Sequence, residues 1–93
     1  MLESISISNL EGKTNIIDIR SNEKYNNNHI PGSINIPFEN LLMNPSKYLR
    51  KTDIYYIYCQ RGVQSRRLCL MLKNLGYRVI NINGGYEAWI LDQ

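Results

Sequence analysis

The sequence is poor in the residues that usually announce a function. Its 93 residues hold two cysteines, one histidine, one tryptophan and one phenylalanine. Two cysteines make no disulfide framework, and a lone histidine with no paired ligands gives no zinc spacing. No apolar run approaches the roughly 18–20 residues of a membrane span. The opening Met1-Leu2-Glu3 lacks a basic stretch followed by an apolar one, so no membrane partner is expected and the cytoplasm is the expected compartment. At this length one domain covering residues 1–93 is expected, with an adequate but not generous core.

A second absence is local. From Ile54 to Tyr86 there is no acidic residue, while Arg61, Arg66, Arg67, Lys73 and Arg78 are all present. Through Asp53 six acids balance six bases, so the formal charge of +3 is concentrated on about a third of the chain. Such a stretch is read as an anion site, a nucleic-acid patch or a solvated helix face. Tyr55, Tyr56 and Tyr58 alternate between the faces of a strand and so form no stacking platform for nucleic acid.

What is present alternates short β-branched runs with helical patterns. Ile16–Ile19, Ser33–Ile36, Ile54–Tyr58 and Val79–Ile82 read as strands, and Ile5 with Ile7 as an outer one. Ser21 caps a helix over Glu23–Asn28, Pro45 parts two short helices, and Gly84-Gly85 opens a last one carrying Trp89. Ser65 is the expected N-cap of a helix to Leu75, with Leu68, Leu72 and Leu75 on its buried face. The order indicates an α/β domain with a mostly parallel central sheet.

The cysteines differ in setting. Cys69, inside Leu68-Cys69-Leu70-Met71-Leu72, reads as a small core residue on a helix. Cys59 ends the best strand and begins a Gly-containing turn. Ligands of open parallel sheets bind at the carboxyl ends of the strands, and helix N-termini there favour anions. A thiol at that point is itself the potential anion, and the setting favours its thiolate form. The competing reading is a buried strand-end cysteine before an ordinary turn. Gly62 tips the balance, since a glycine three residues on lets the backbone curl with its N–H groups inward. Cysteine phosphatases need an arginine at the sixth position after the cysteine to grip phosphoryl oxygens. That position is Ser65.

Asp18-Ile19-Arg20, His29-Ile30-Pro31-Gly32-Ser33-Ile34-Asn35-Ile36-Pro37, Tyr58-Cys59-Gln60-Arg61-Gly62 and Leu75-Gly76-Tyr77 with Gly84-Gly85-Tyr86-Glu87-Ala88-Trp89 together resemble the successive signatures of the rhodanese-like domain family. The resemblance implies a five-stranded, mostly parallel sheet flanked by helices on both faces. It also implies sulfurtransferase chemistry through a Cys59 persulfide, without metal or cofactor. The implied partners are a small sulfur donor such as thiosulfate and a thiol or protein acceptor. The active-site loop would run through Gln60, Arg61, Gly62, Val63, Gln64 and Ser65, whose N–H groups hold the persulfide. Many single-domain members carry arginine where this chain has Gln64, which leaves Arg61 to hold an anionic donor. Cys59 would lie on a shallow, accessible loop. Asp18 and Arg20 order neighbouring loops, and Asp18 is a possible partner of His29. The alternatives are a catalytically weak binding or regulatory module, and behind it a phosphatase or arsenate reductase on the same fold.

Overall fold

The computed structural model describes residues 2–93, and Met1, part of the opening segment discussed above, lies outside them. Ten elements follow the chain: β1 (Ser4–Ile5), β2 (Ile16–Asp18), α1 (Asn22–Asn27), β3 (Ile34–Asn35), α2 (Phe38–Met43), α3 (Pro45–Tyr48), β4 (Ile54–Tyr58), α4 (Val63–Asn74), β5 (Arg78–Ile82) and α5 (Gly85–Leu91). A 3-10 turn over Ile7–Asn9 follows β1, so Ile7 leaves the outer strand that the serine alternation suggested. The sheet order is β1-β5-β4-β2-β3, and every pairing is parallel. The expectation of a mostly parallel sheet is met by a wholly parallel one.

The strands are β-branched or aromatic on both faces because both faces are covered. Tyr55 and Ile57 join one core with Leu41 of α2 and Leu68, Cys69 and Leu72 of α4. Tyr58 enters the second core with Leu10, Ile30 and Ile82, and Tyr56, Tyr86 and Trp89 pack against it. Trp89 is only half-buried because α5 covers the margin of that core.

Central β4 carries Cys59 just past its carboxyl end, flanked by β5 and β2. Tyr58 anchors that end: its buried hydroxyl accepts from Ile30 N–H at 3.1 Å and hydrogen-bonds Ser33 Oγ at 3.0 Å. The His29–Ser33 turn is thereby fixed to the middle of the sheet. Burial pushes the Tyr58 phenol well above its ordinary range.

Candidate active site

Helix α4 begins earlier than the pattern suggests. Gly62 adopts φ +92°, in the left-handed region, and serves as N-cap. A Cβ at Gly62 would also stand 2.9 Å from Gly84 N, so glycine is required twice over. Ser65 is consequently not the cap but lies within the first turn, fully buried. The inner face of α4 is Ser65, Leu68, Cys69 and Leu72. Leu75, one residue past the last turn, is 55% exposed and does not extend that face.

This early start brings two orphan N–H groups of the helix to the cysteine. Gly62 N–H reaches Cys59 Sγ at 3.1 Å and Ser65 N–H at 3.3 Å, while Sγ–H donates to Ser65 Oγ at 3.4 Å. Charge gathering on Sγ meets two backbone dipoles and the positive end of α4. Cys59 is only 4% exposed, so it sits at the floor of the loop, not on an accessible rim as expected. The reason is the inward curl itself: the N–H groups converge on the sulfur by wrapping over it.

The other face of the loop is held by α5. Tyr86 N–H donates to Cys59 O at 2.9 Å and Glu87 N–H to Gln60 O at 3.0 Å. With the loop carbonyls bound outward, its N–H groups turn inward. Gly85, at φ +60°, permits this approach, since a Cβ there would collide with the Cys59 carbonyl oxygen.

The flanking charges are mostly committed. Arg20 pairs with Asp18, Nη2 to Oδ2 at 2.8 Å, both groups being buried. Arg20 also donates to Asn28 O at 2.7 Å and to Gln60 Oε1 at 3.3 Å, and its guanidinium lies 3.9 Å over the Tyr86 ring. Burial works against that charge, but the hydrogen bonds and charge of Asp18 outweigh it and raise the arginine's pKa. The role expected for Asp18 and Arg20, ordering loops, is what these contacts do. His29 is not the partner of Asp18: its Nδ1 bonds Tyr25 O at 2.8 Å and its ring stacks on Tyr25.

Arg61 extends outward, its side chain 78% exposed, with Nε 3.4 Å from Glu87 Oε2. Gln60 Nε2 donates to the same oxygen at 3.3 Å. Gln60 and Gln64 line a cleft of about 420 Å³ together with Arg20, Lys24, Phe38 and Glu39. Val63 is exposed. Among the described residues no three of His, Cys, Asp and Glu converge on a point that could hold a metal ion, and no helix is long and apolar enough to cross a membrane. Cys69 is fully buried in the core, as its pattern indicates, and burial pushes its thiol up to about 12.

With this geometry in view, comparison with known proteins decides the family. The sequence model of the rhodanese-like domain matches residues 6–92. The chain belongs to the rhodanese-like domain family. It is 31% identical over 86 residues to Protein HIGH ARSENIC CONTENT 1, mitochondrial, of Arabidopsis thaliana, covering 80% of this chain and 51% of that one. It is 34% identical over 76 residues to the putative sulfur carrier protein YrkF of Bacillus subtilis, covering 81% of this chain and 40% of that protein. The chain thus spans about half or less of these two curated relatives. A crystal structure of a rhodanese-like domain protein from Staphylococcus aureus superposes with a TM-score of 0.84 at 31% identity, covering 95% and 91% of the two chains.

Sequence reasoning missed Asn81 and Glu87. Asn81 is 2% exposed and accepts from Ser65 Oγ–H at 2.6 Å. The available signal was a carboxamide inside the apolar run Val79-Ile80-Asn81-Ile82, where only a buried polar partner would accommodate it.

Proposed function

We propose that this rhodanese-like domain is a sulfurtransferase that carries sulfane sulfur on Cys59. The observation that supports this reading is the pair of backbone N–H groups, from Gly62 and Ser65, aimed at Cys59 Sγ. The Cys59 thiolate attacks the outer sulfur of thiosulfate. A new S–S bond forms, the bond to the sulfonate sulfur breaks, and sulfite leaves with its electron pair. The product, a Cys59 persulfide, keeps one negative charge on its terminal sulfur. In the second half an acceptor thiolate, or cyanide in an assay, takes that sulfur and the Cys59 thiolate returns. Such a double displacement gives ping-pong kinetics.

The remaining loop N–H groups, from Gln60, Arg61, Val63 and Gln64, are assigned to the outer sulfur and to the departing oxyanion. Arg61 holds the anionic donor by leaving Glu87. The similarity to YrkF, named a putative sulfur carrier protein, accords with a persulfide that is passed on. Ser65 stands where cysteine phosphatases place their phosphate-gripping arginine, which argues against phosphoryl or arsenate chemistry.

The test is intact mass after incubation with thiosulfate. The protein should gain one sulfur atom, lose it on adding cyanide, and gain none as Cys59→Ser. Absence of an adduct with every sulfane donor tried would reject the enzyme reading in favour of a binding module. Turnover of an aryl phosphate or of arsenate would favour the phosphatase-like alternative.

A further inference from the structure

Behind the catalytic loop lies a row of uncharged polar groups that the sulfur chemistry leaves unassigned. Ser65 Oγ, 3.4 Å from Cys59 Sγ, donates to Asn81 Oδ1 at 2.6 Å. Asn81 Nδ2 donates to Asn83 Oδ1 at 3.3 Å, and Asn83 Nδ2 donates to Ser4 Oγ at 3.2 Å. Asn81 and Ser65 are buried, whereas Asn83 and Ser4 are exposed. The row therefore runs from the reactive sulfur, across β5, to solvent beside β1.

The direction of these bonds suits only one state of Cys59. Ser65 has a single hydroxyl proton, directed at Asn81 Oδ1 at 2.6 Å with Gly62 O a more distant acceptor at 3.3 Å, and neither arrangement leaves that proton for sulfur. Its oxygen thus offers Sγ a lone pair, which receives the S–H of a neutral thiol. A thiolate or an anionic persulfide needs the reverse, a hydroxyl donating to sulfur. If Ser65 simply turned away, Asn81 Oδ1 would be left buried without a donor, which is unfavourable. A carboxamide avoids that cost, because half a turn replaces its acceptor by a donor in nearly the same place. Asn81 then donates to Ser65 Oγ, Asn83 turns to donate to Asn81, and Ser4, whose hydroxyl can give or accept, ends the row in water.

We infer that Asn81 is a positioning residue acting through Ser65: the Ser65–Asn81–Asn83–Ser4 row reverses its hydrogen bonds as Cys59 passes between thiol and anion, so that the buried hydroxyl always matches the charge on sulfur. No proton crosses the row, and no group in it changes charge. The charged groups around the loop, Arg61 with Glu87 and Arg20 with Asp18, take no part in the row. The inference rests on the persulfide reading for its purpose but not for its test.

Asn83→Asp probes it from the exposed end. An ionised carboxylate only accepts, so it fixes Asn81 Nδ2 toward residue 83 and Oδ1 toward Ser65, locking the row in the thiol direction. The expected result is a thiolate midpoint for Cys59, read by far-ultraviolet absorbance against the Cys59→Ser protein, raised by about half a unit or more. Persulfide formation from thiosulfate should slow by about fivefold. In a Ser65→Ala background both effects should fall below about twofold, because the hydroxyl that transmits them is gone. Asn81→Asp should act in the same direction. Equal effects with and without the Ser65 hydroxyl would mean a bare charge effect and overturn the inference, as would unchanged midpoints in both aspartate variants. If the parent protein formed no persulfide, the sulfurtransferase reading would fail while the midpoints still decided the role of Asn81.

Discussion

The clamp between α5 and the Cys59 loop can be tested with two alanine substitutions that share one backbone strain. Gly12 and Gly85 both have positive φ, +82° and +60°, so alanine costs each about 1–2 kcal/mol for entering the left-handed region. They differ in what the new methyl meets. Around Gly12 there is nothing within 4 Å, whereas at Gly85 the methyl would collide with Cys59 O and stand 3.0 Å from Gln60 O and Gly62 N. All three are backbone atoms of the Cys59–Gly62 loop, so the loop must move as a unit. The bonds from Tyr86 and Glu87 N–H to that loop are then weakened, at about 0.5–1.5 kcal/mol each. Gly85→Ala should therefore cost about 2–5 kcal/mol and Gly12→Ala about 1–2, a large difference against a total of roughly 5–15 kcal/mol. Urea unfolding measures both. Persulfide formation should fall at least about tenfold in Gly85→Ala and be unchanged in Gly12→Ala, since only the former disturbs the N–H groups on Sγ. Equal stability losses, or a Gly85→Ala protein with parental activity, would refute the clamp.

Three further outcomes follow from the charges and the buried acids. Arg61→Ala should raise the thiosulfate KM about threefold to tenfold with a smaller change in kcat, the scale of one exposed charge-assisted contact; an unchanged KM removes Arg61 from donor binding. Asp18→Asn strands the Arg20 guanidinium in the interior and should cost about 3–5 kcal/mol in urea unfolding, with a loss under 1 kcal/mol showing that the pair is not needed. Cys69, at about 12, and Tyr58, also raised, are neutral in the folded protein but ionise in the unfolded chain near about 8.5 and 10. Their contribution is complete below about pH 8.5 and declines above it, because there the unfolded state binds fewer protons. The urea midpoint should fall steadily from about pH 9 to 11, less steeply in Cys69→Ala, and a flat profile would refute the assignment.

The order of elements was legible because runs of β-branched and aromatic residues between polar segments favour strands, and Ile54–Tyr58 is found with the expected limits. Cys59 was legible too, through its place at the end of that strand and the glycine three residues on. Local pattern failed where a neighbour from elsewhere in the chain sets the geometry. Ser65 has every local mark of an N-cap, yet the close approach of Gly62 to Gly84 starts α4 earlier and turns the serine inward. The family resemblance points to Arg61 as a donor contact, but Glu87, 26 residues later, pairs with it in the fold.

The sequence alone therefore determined the α/β class, the place of Cys59 at a strand end before a glycine turn and the place of Cys69 in the core, because each depends on residues close together in the chain. Tertiary structure decided the rest of the site. The burial of Cys59, the α5 clamp on the loop carbonyls, the Arg20 link to Gln60 and the Asn81 support of Ser65 all join residues brought together by the parallel sheet. Hydrogen bonds act over about 3 Å, and only the folded chain sets which groups stand that close.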